Sequence, residues 1–196
     1  MSRHTASLPP DYFADQYASN PDPWGFATSD YERAKYLATL EALPKPRYAS
    51  ILEVGCSIGV LTSALAPRCD GLLGLDVAEA ALDQARARCA DQPHLAFAQT
   101  RVPGQWPEGT FDLILLSEVV YYLDAGDVGR LAARVRGALR AGGDVVLVHW
   151  TGETHYPLSG DDAAGLFLRE AAGFTRVRHQ SRTDRYRLDV LGAAEG

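Results

Sequence analysis

No apolar run in this 196-residue sequence approaches the roughly 20 residues that a membrane-spanning helix needs. The stretch Met1 to Pro10 lacks the apolar centre of a secretory signal. A membrane partner is therefore not expected, and the expected compartment is the cytoplasm. Positive charge is also in deficit, since 19 Lys and Arg against 25 Asp and Glu leave a net charge of -6. Such a surface on average repels phosphate backbones, which makes nucleic acid a poor partner. Cysteine is sparse: Cys56, Cys69 and Cys89 are odd in number and form no CxxC pair. That disfavours a disulfide framework and a zinc site, so reduced buried thiols and no metal are expected. Polar low-complexity tracts, internal repeats and linkers are missing too, and 46% hydrophobic residues indicate a folded core.

The length suits one domain, read as an arm and lid helix over 1–45 and an α/β core over 46–196. Pro9, Pro10, Pro21 and Pro23 surround Asp11-Tyr12-Phe13, which suggests an arm docked by aromatic side chains. Ser29-Asp30-Tyr31-Glu32 reads as a capping box that opens a helix. Tyr36, Leu37, Leu40 and Leu43 are expected on one face of it, and Pro44 and Pro46 stop it. Short apolar runs then alternate with helical patterns. Strands are expected at Ile51 to Val54, Leu72 to Asp76, Leu95 to Ala98, Phe111 to Ser117 and Asp144 to Trp150. Between them, Val60 to Ala66 reads as a helix ended by Pro67. Ala78, Leu82, Ala85 and Cys89 make one helical stripe, and Val128, Leu131 and Val135 another. Such alternation implies a doubly wound parallel sheet. After a helix near Asp162 to Ala172, two strands flank a turn at Thr183-Asp184; so short a connection requires them to be antiparallel.

The densest chemical signal is Ile51-Leu52-Glu53-Val54-Gly55-Cys56-Ser57-Ile58-Gly59, an apolar strand running into a glycine turn and a helix. Gly55 lets backbone approach a ligand, and Gly59 lets the helix pack closely. The next strand ends in Asp76, where a carboxylate can accept both ribose hydroxyls of an adenosine ligand, although capping the following helix is the plainer role. Glu53 discriminates among adenosine cofactors. A carboxylate before the turn repels a dinucleotide pyrophosphate but attracts S-adenosylmethionine (SAM), which carries a sulfonium and an α-amino group and no phosphate.

These segments, with Gly74-Leu75-Asp76, Phe111-Asp112-Leu113-Ile114 and Leu139-Arg140-Ala141-Gly142-Gly143, resemble class I SAM-dependent methyltransferases. More narrowly, four segments are similar to the NodS family of nodulation N-methyltransferases. They are Asp22-Pro23-Trp24-Gly25-Phe26, Tyr31-Glu32-Arg33-Ala34-Lys35-Tyr36, Ser117-Glu118-Val119-Val120-Tyr121-Tyr122-Leu123 and Gly152 to Gly160. The resemblance implies a seven-stranded Rossmann-like methyltransferase fold with an antiparallel C-terminal strand. It also implies SAM as cofactor, S-adenosyl-L-homocysteine (SAH) as product, and a small-molecule acceptor such as the amine of an amino sugar. A monomer or weak homodimer fits that reading. Two positions depart from the pattern. Ser57 stands in place of the middle glycine, tolerable if its φ stays negative, and Arg101 stands in place of an acidic residue.

Carried over residue by residue, the resemblance implies Gly55, Cys56 and Gly59 around the methionine part, Asp76 on the ribose and Val77 against adenine; Glu53 is counted among the cofactor contacts by its charge. Backbone groups of Arg101 and Val102 take the adenine amino contact, while Ser117, Glu118 and Val119 border the methyl group. Trp24, Phe26 and Tyr31 are expected to form a lid, with Trp24 counted among the cofactor contacts. Catalytic candidates for holding an amine neutral and oriented are Glu118, Tyr121, His149 and His155. The plainer readings are a hydrogen-bonded strand-end histidine for His149, an exposed loop histidine for His155 and a charge anchor for Glu118. Arg176, Arg178, Arg182, Arg185 and Arg187 read as a solvated strand face. Rival readings are an NAD-dependent oxidoreductase, for which Tyr31-x-x-x-Lys35 has the spacing, an O-methyltransferase and a non-catalytic SAM binder.

Overall fold

Proline lacks the N–H that a first helical turn leaves unused and has φ fixed near the helical value, so it starts helices readily. Pro10 does so here, opening α1, Pro10–Ser19, within the segment expected as an arm docked by aromatic side chains. The computed structural model describes residues 3–194, and α1 belongs to the first of two compact units, 9–101; the second comprises 102–194 with 3–8.

In the first unit α1 is followed by α2, Asp30–Ala42, capped by the Ser29 hydroxyl, which accepts from the Glu32 N–H as expected, while the Ser29 N–H donates to the Gly25 carbonyl and the Glu32 carboxylate pairs with Lys35. The buried face of α2 is only in part the apolar stripe read from sequence: Leu43 is buried and Tyr36 and Leu40 are half-buried, but polar residues share the face. Glu32, Lys35 and Thr39 are buried, while Leu37 is 55% exposed. Lys35 donates to Glu32 at 2.9 Å, so an ion pair one turn apart replaces hydrophobic packing. A Glu–Lys pair at i,i+3 reads the same in sequence whether it is buried or exposed. Strand β1, Ile51–Val54, runs parallel to β2, Leu72–Asp76, which runs parallel to β3, Leu95–Gln99, in the order β3-β2-β1. Helix α3, Val60–Leu65, passes into a 3₁₀ turn at Ala66–Arg68, and α4, Glu79–Arg88, buries Ala81, Leu82 and Ala85.

The second unit contains β4, Phe111–Ser117, parallel to β5, Leu139–Trp150. Strand β5 starts five residues before the expected Asp144. Phe111 pairs with Leu139 but Leu113 with Asp144, so Arg140 to Gly143 bulge out of the ladder, with Gly142 at φ 68°. This bulge lies in the Leu139-Arg140-Ala141-Gly142-Gly143 segment that carries part of the resemblance. Between these strands, α5, Ala125–Ala138, is capped by Asp124 and buries Val128, Leu131 and Val135 as expected. Helix α6, Gly160–Ala171, is capped by Ser159. The final pair, β6, Thr175–Arg182, and β7, Tyr186–Ala193, is antiparallel, and β7 is antiparallel to β5, giving the order β4-β5-β7-β6. Residues 3–8 tie onto this unit: His4 N–H donates to the His155 carbonyl and Leu8 N–H to the Tyr122 carbonyl.

Seven strands, parallel where helices connect them and antiparallel at the C-terminal end, make this the Rossmann-like α/β architecture of methyltransferases. The arginine run is partly structural rather than only solvated. Arg187 holds the fully buried Asp189 at 2.8 Å, and Arg182 holds Asp161. Among the described residues no helix is long and apolar enough to cross a membrane, and no His, Cys, Asp and Glu group could hold a metal. Cys56, Cys69 and Cys89 are buried free thiols.

Candidate functional site

Strand β1 ends in a turn built on two left-handed glycines, Gly55 at φ 81° and Gly59 at φ 77°. A Cβ on Gly59 would lie 2.9 Å from the backbone and Cβ of Ala85. The close packing expected there is real, but against α4. Ser57 also sits in the left-handed region, at φ 49°, contrary to the expected negative value. That conformation costs a non-glycine residue about 1–2 kcal/mol. Two hydrogen bonds hold Ser57 there. Its N–H donates to Asp76 Oδ2 at 3.0 Å, and its Oγ pairs with the Tyr17 hydroxyl at 2.6 Å.

Asp76 does not cap the following helix, whose N-cap is Ala78 with no side-chain cap bond. Instead its Oδ1 accepts from Ala78 N–H at 2.9 Å in a local turn, while its Oδ2 accepts from the glycine turn. A carboxylate has about four acceptor sites, so the Ser57, Ala78 and Val77 N–H groups that act on it do not exhaust its capacity. Burial raises its pKa, opposed by those backbone donors. Val77 follows at the strand end, with its carbonyl bonded by Gln99. Glu53 is 1% exposed, and its Oε2 accepts the Thr62 hydroxyl of α3 at 2.6 Å. Burial, offset in part by Thr62 and reinforced by Asp76, pushes its pKa up to about 7. Cys56 is buried, and burial keeps its thiol protonated.

The expected aromatic lid divides. Asp22 accepts from the N–H groups of Phe26 and Ala27, folding the Pro23-Trp24-Gly25 turn so that Trp24 stands between Tyr17 and Phe26, 5.6 Å from each ring. These aromatics pack with Ile58, Ala78 and Ala81, beside the glycine turn. Tyr31 goes elsewhere, its ring 5.2 Å from the Lys35 ammonium. That ammonium is ion-paired with Glu32. Arg101 is exposed, and Val102 is half-buried at the start of the second unit.

In the second unit, β4 delivers Ser117, 7% exposed, and then Glu118, which adopts φ 55°. Such a conformation in a glutamate marks a position held by its surroundings. Glu118 N–H continues the ladder to the Val148 carbonyl, and Oε2 accepts both the Tyr121 hydroxyl at 2.6 Å and the Trp150 N–H at 2.8 Å. Val119 leads into a 3₁₀ turn over Val120–Tyr122. Burial and the Glu118 charge hold the Tyr121 phenol well above its ordinary pKa, so it remains a donor. Its ring packs 4.6 Å from Tyr122 and 5.1 Å from Tyr156. His149 is fully buried and its Nε2 accepts from Val120 N–H at 3.1 Å, which commits that lone pair and fixes the turn. His155 is exposed.

Glu118 and Tyr121 are thus brought into direct contact, and His149 joins them through the turn. Sequence reading missed Tyr17, Thr62, the Trp150 N–H and the Tyr122–Tyr156 pair. Tyr156 lay in a quoted segment, and Ser57 in a glycine position was the one signal that a partner was needed.

Comparison with known proteins agrees with this architecture. The chain is 36% identical to nodulation protein S of Rhizobium tropici over 120 residues, 61% of this chain and 50% of that protein. It spans about half the length of the curated nodulation proteins it matches first. A Pseudomonas syringae protein crystallised as a candidate methyltransferase is 39% identical, with TM-score 0.73 over 83% of this chain and 98% of that one. The crystal structure of N-methyltransferase NodS from Bradyrhizobium japonicum with SAH has TM-score 0.81 at 22% identity, over 95% of this chain and 99% of that one. The family model for nodulation protein S matches residues 13–147, and the chain belongs to the NodS family.

Proposed function

We propose that this chain is a SAM-dependent methyltransferase whose acceptor is the amine of a small molecule, an amino sugar being the favoured class. The observation that carries the reading is Asp76, a carboxylate at the carboxyl end of β2 held by the Ser57 and Ala78 N–H groups. Its remaining acceptor capacity suits a ribose diol. Glu53 beneath the same turn is buried at a pKa of about 7, poised to ionise beside a cation and ill suited to a diphosphate. SAM supplies, when bound, a methyl group on a sulfonium that is already activated for displacement.

The protein's task is then alignment, exclusion of water and presentation of a neutral nucleophile. Gly55, Cys56 and Gly59 line the methionine end, Asp76 takes the ribose, Val77 and the backbone of Arg101 and Val102 take the adenine, and Trp24 covers the turn. Ser117, Glu118 and Val119 border the reacting methyl. Glu118 receives the amine by charge or takes its proton, with Tyr121 and the Trp150 N–H fixing its carboxylate. Tyr121 stays protonated and orients rather than abstracts. His149, through Val120, sets the turn that carries Tyr121. What favours an amine over a hydroxyl acceptor is this buried-edge carboxylate among tyrosines, which suits an ammonium. The test is a screen of amines and deacetylated amino sugars with SAM, read by mass spectrometry. Methylation at nitrogen of a free amine is expected, and methylation confined to hydroxyl or carboxylate acceptors would overturn the amine assignment.

A further inference from the structure

We infer that Tyr17 is a positioning residue of the donor site, acting through Ser57 on Asp76. The inference rests on the SAM reading only for its consequence; the relay itself is in the geometry. Its links are consecutive: Tyr17 hydroxyl to Ser57 Oγ at 2.6 Å, Ser57 N–H to Asp76 Oδ2 at 3.0 Å, and Asp76 Oδ1 to Ala78 N–H at 2.9 Å.

Serine at φ 49° gains nothing from its backbone; a glycine would adopt the same turn without strain. What serine adds is a hydroxyl, and its partner at this turn is Tyr17. Tyr17 is 7% exposed and packs with Ile58, Ala78 and Ala81, which flank the two ends of the relay. The arm that carries it is fastened independently. Gln84 of α4 donates to the Pro21 carbonyl, and Asp22 folds the following turn so that Trp24 stacks edge-on to Tyr17. The phenol therefore comes from a fixed scaffold, and burial beside Asp76 keeps it protonated. Its hydroxyl holds the Ser57 side chain, which sets the direction of the Ser57 N–H and hence the rotamer of the carboxylate assigned to the ribose. An unheld serine would relax toward negative φ and swing that N–H away from Asp76.

The test is a double-mutant cycle of Tyr17→Phe and Ser57→Gly. Phenylalanine preserves the packed ring, and glycine keeps the N–H and the left-handed turn while removing Oγ. In the ligand-free chain, amide hydrogen exchange at Ser57 is expected to speed up about tenfold in Tyr17→Phe, the scale of one lost hydrogen bond. In the Ser57→Gly background, exchange at position 57 is expected to be the same whether position 17 carries tyrosine or phenylalanine. SAH affinity by calorimetry is expected to follow: about tenfold weaker in Tyr17→Phe, within about threefold of native in Ser57→Gly, and not weakened further in the double variant. Unchanged exchange in Tyr17→Phe, or equal effects of that substitution in both backgrounds, would overturn the relay. Coupled exchange in a native chain that binds neither SAM nor SAH would leave the relay standing and remove the donor assignment instead.

Discussion

Replacing Glu53 by glutamine removes the one carboxyl of the glycine-turn region that is buried at 1% exposure against a single hydroxyl partner, Thr62. Glutamine keeps an acceptor for that hydroxyl and nearly the same volume. In the native protein the Glu53 pKa rises from 4.5 to about 7. Between those values the folded chain holds a proton that the unfolded chain has lost. Stability therefore falls as pH rises through this window, is fully retained below 4.5 and has lost this contribution above about 7. At about 1.4 kcal/mol per pH unit, the window amounts to about 3 kcal/mol. Asp76, whose pKa is also raised, adds a fall in the same direction. It does so in both proteins, so the difference between them isolates Glu53. Urea denaturation of the ligand-free chain from pH 4.5 to 8 is expected to give a native stability that drops relative to Glu53→Gln by about 3 kcal/mol. Parallel curves would refute the buried, protonated state. A cationic donor favours the ionised form, so native SAM affinity is expected to increase with pH up to about 7 and to flatten in the variant.

Asp76→Ala leaves the Ser57 and Ala78 N–H groups without their acceptor and removes the carboxylate proposed to hold the ribose; calorimetry is expected to show SAM affinity at least about 100-fold weaker. Glu118→Gln retains an acceptor for Tyr121 or the Trp150 N–H but loses the charge, so turnover is expected to fall about 100-fold while SAM affinity changes by less than about threefold. Lys35→Met strands Glu32, which is buried beside it, and is expected to cost about 3 kcal/mol in urea unfolding. The double variant Glu32→Gln/Lys35→Met should recover most of that loss.

The parallel core was legible because its strands are apolar runs of strand length bounded by Gly, Pro and Asp: Leu72 to Asp76 and Phe111 to Ser117 fall where the sequence places them. Helix α4 was legible from the spacing of Ala78, Leu82, Ala85 and Cys89, all of which are buried. What was not legible depends on pairing across distance. The buried Lys35–Glu32 pair looks in sequence like any exposed i,i+3 pair, so the apolar residues of α2 were given the core face that Lys35 occupies. Helix α1 was hidden by its prolines, which read as arm until Pro10 is recognised as a first-turn residue. Among the candidate residues, Asp76 and Glu118 were legible because each lies at or just past a strand end, where charge rarely serves packing. Their supports were not. Ser57 was read as an exception to the glycine pattern that only a negative φ would permit, yet its left-handed backbone is held from 40 residues away by Tyr17. His149 had two open readings, and the geometry commits its Nε2 to the Val120 N–H, a contact no local pattern encodes.

The carboxylates at the ends of β1 and β2 are proposed to hold a cationic, phosphate-free adenosine donor. Calorimetric titration of the native chain with SAM, SAH and NAD at neutral pH decides between donors. Saturable binding of SAM and SAH with no heat from NAD is the predicted result. Binding of NAD, with no signal from SAM or SAH, would contradict it.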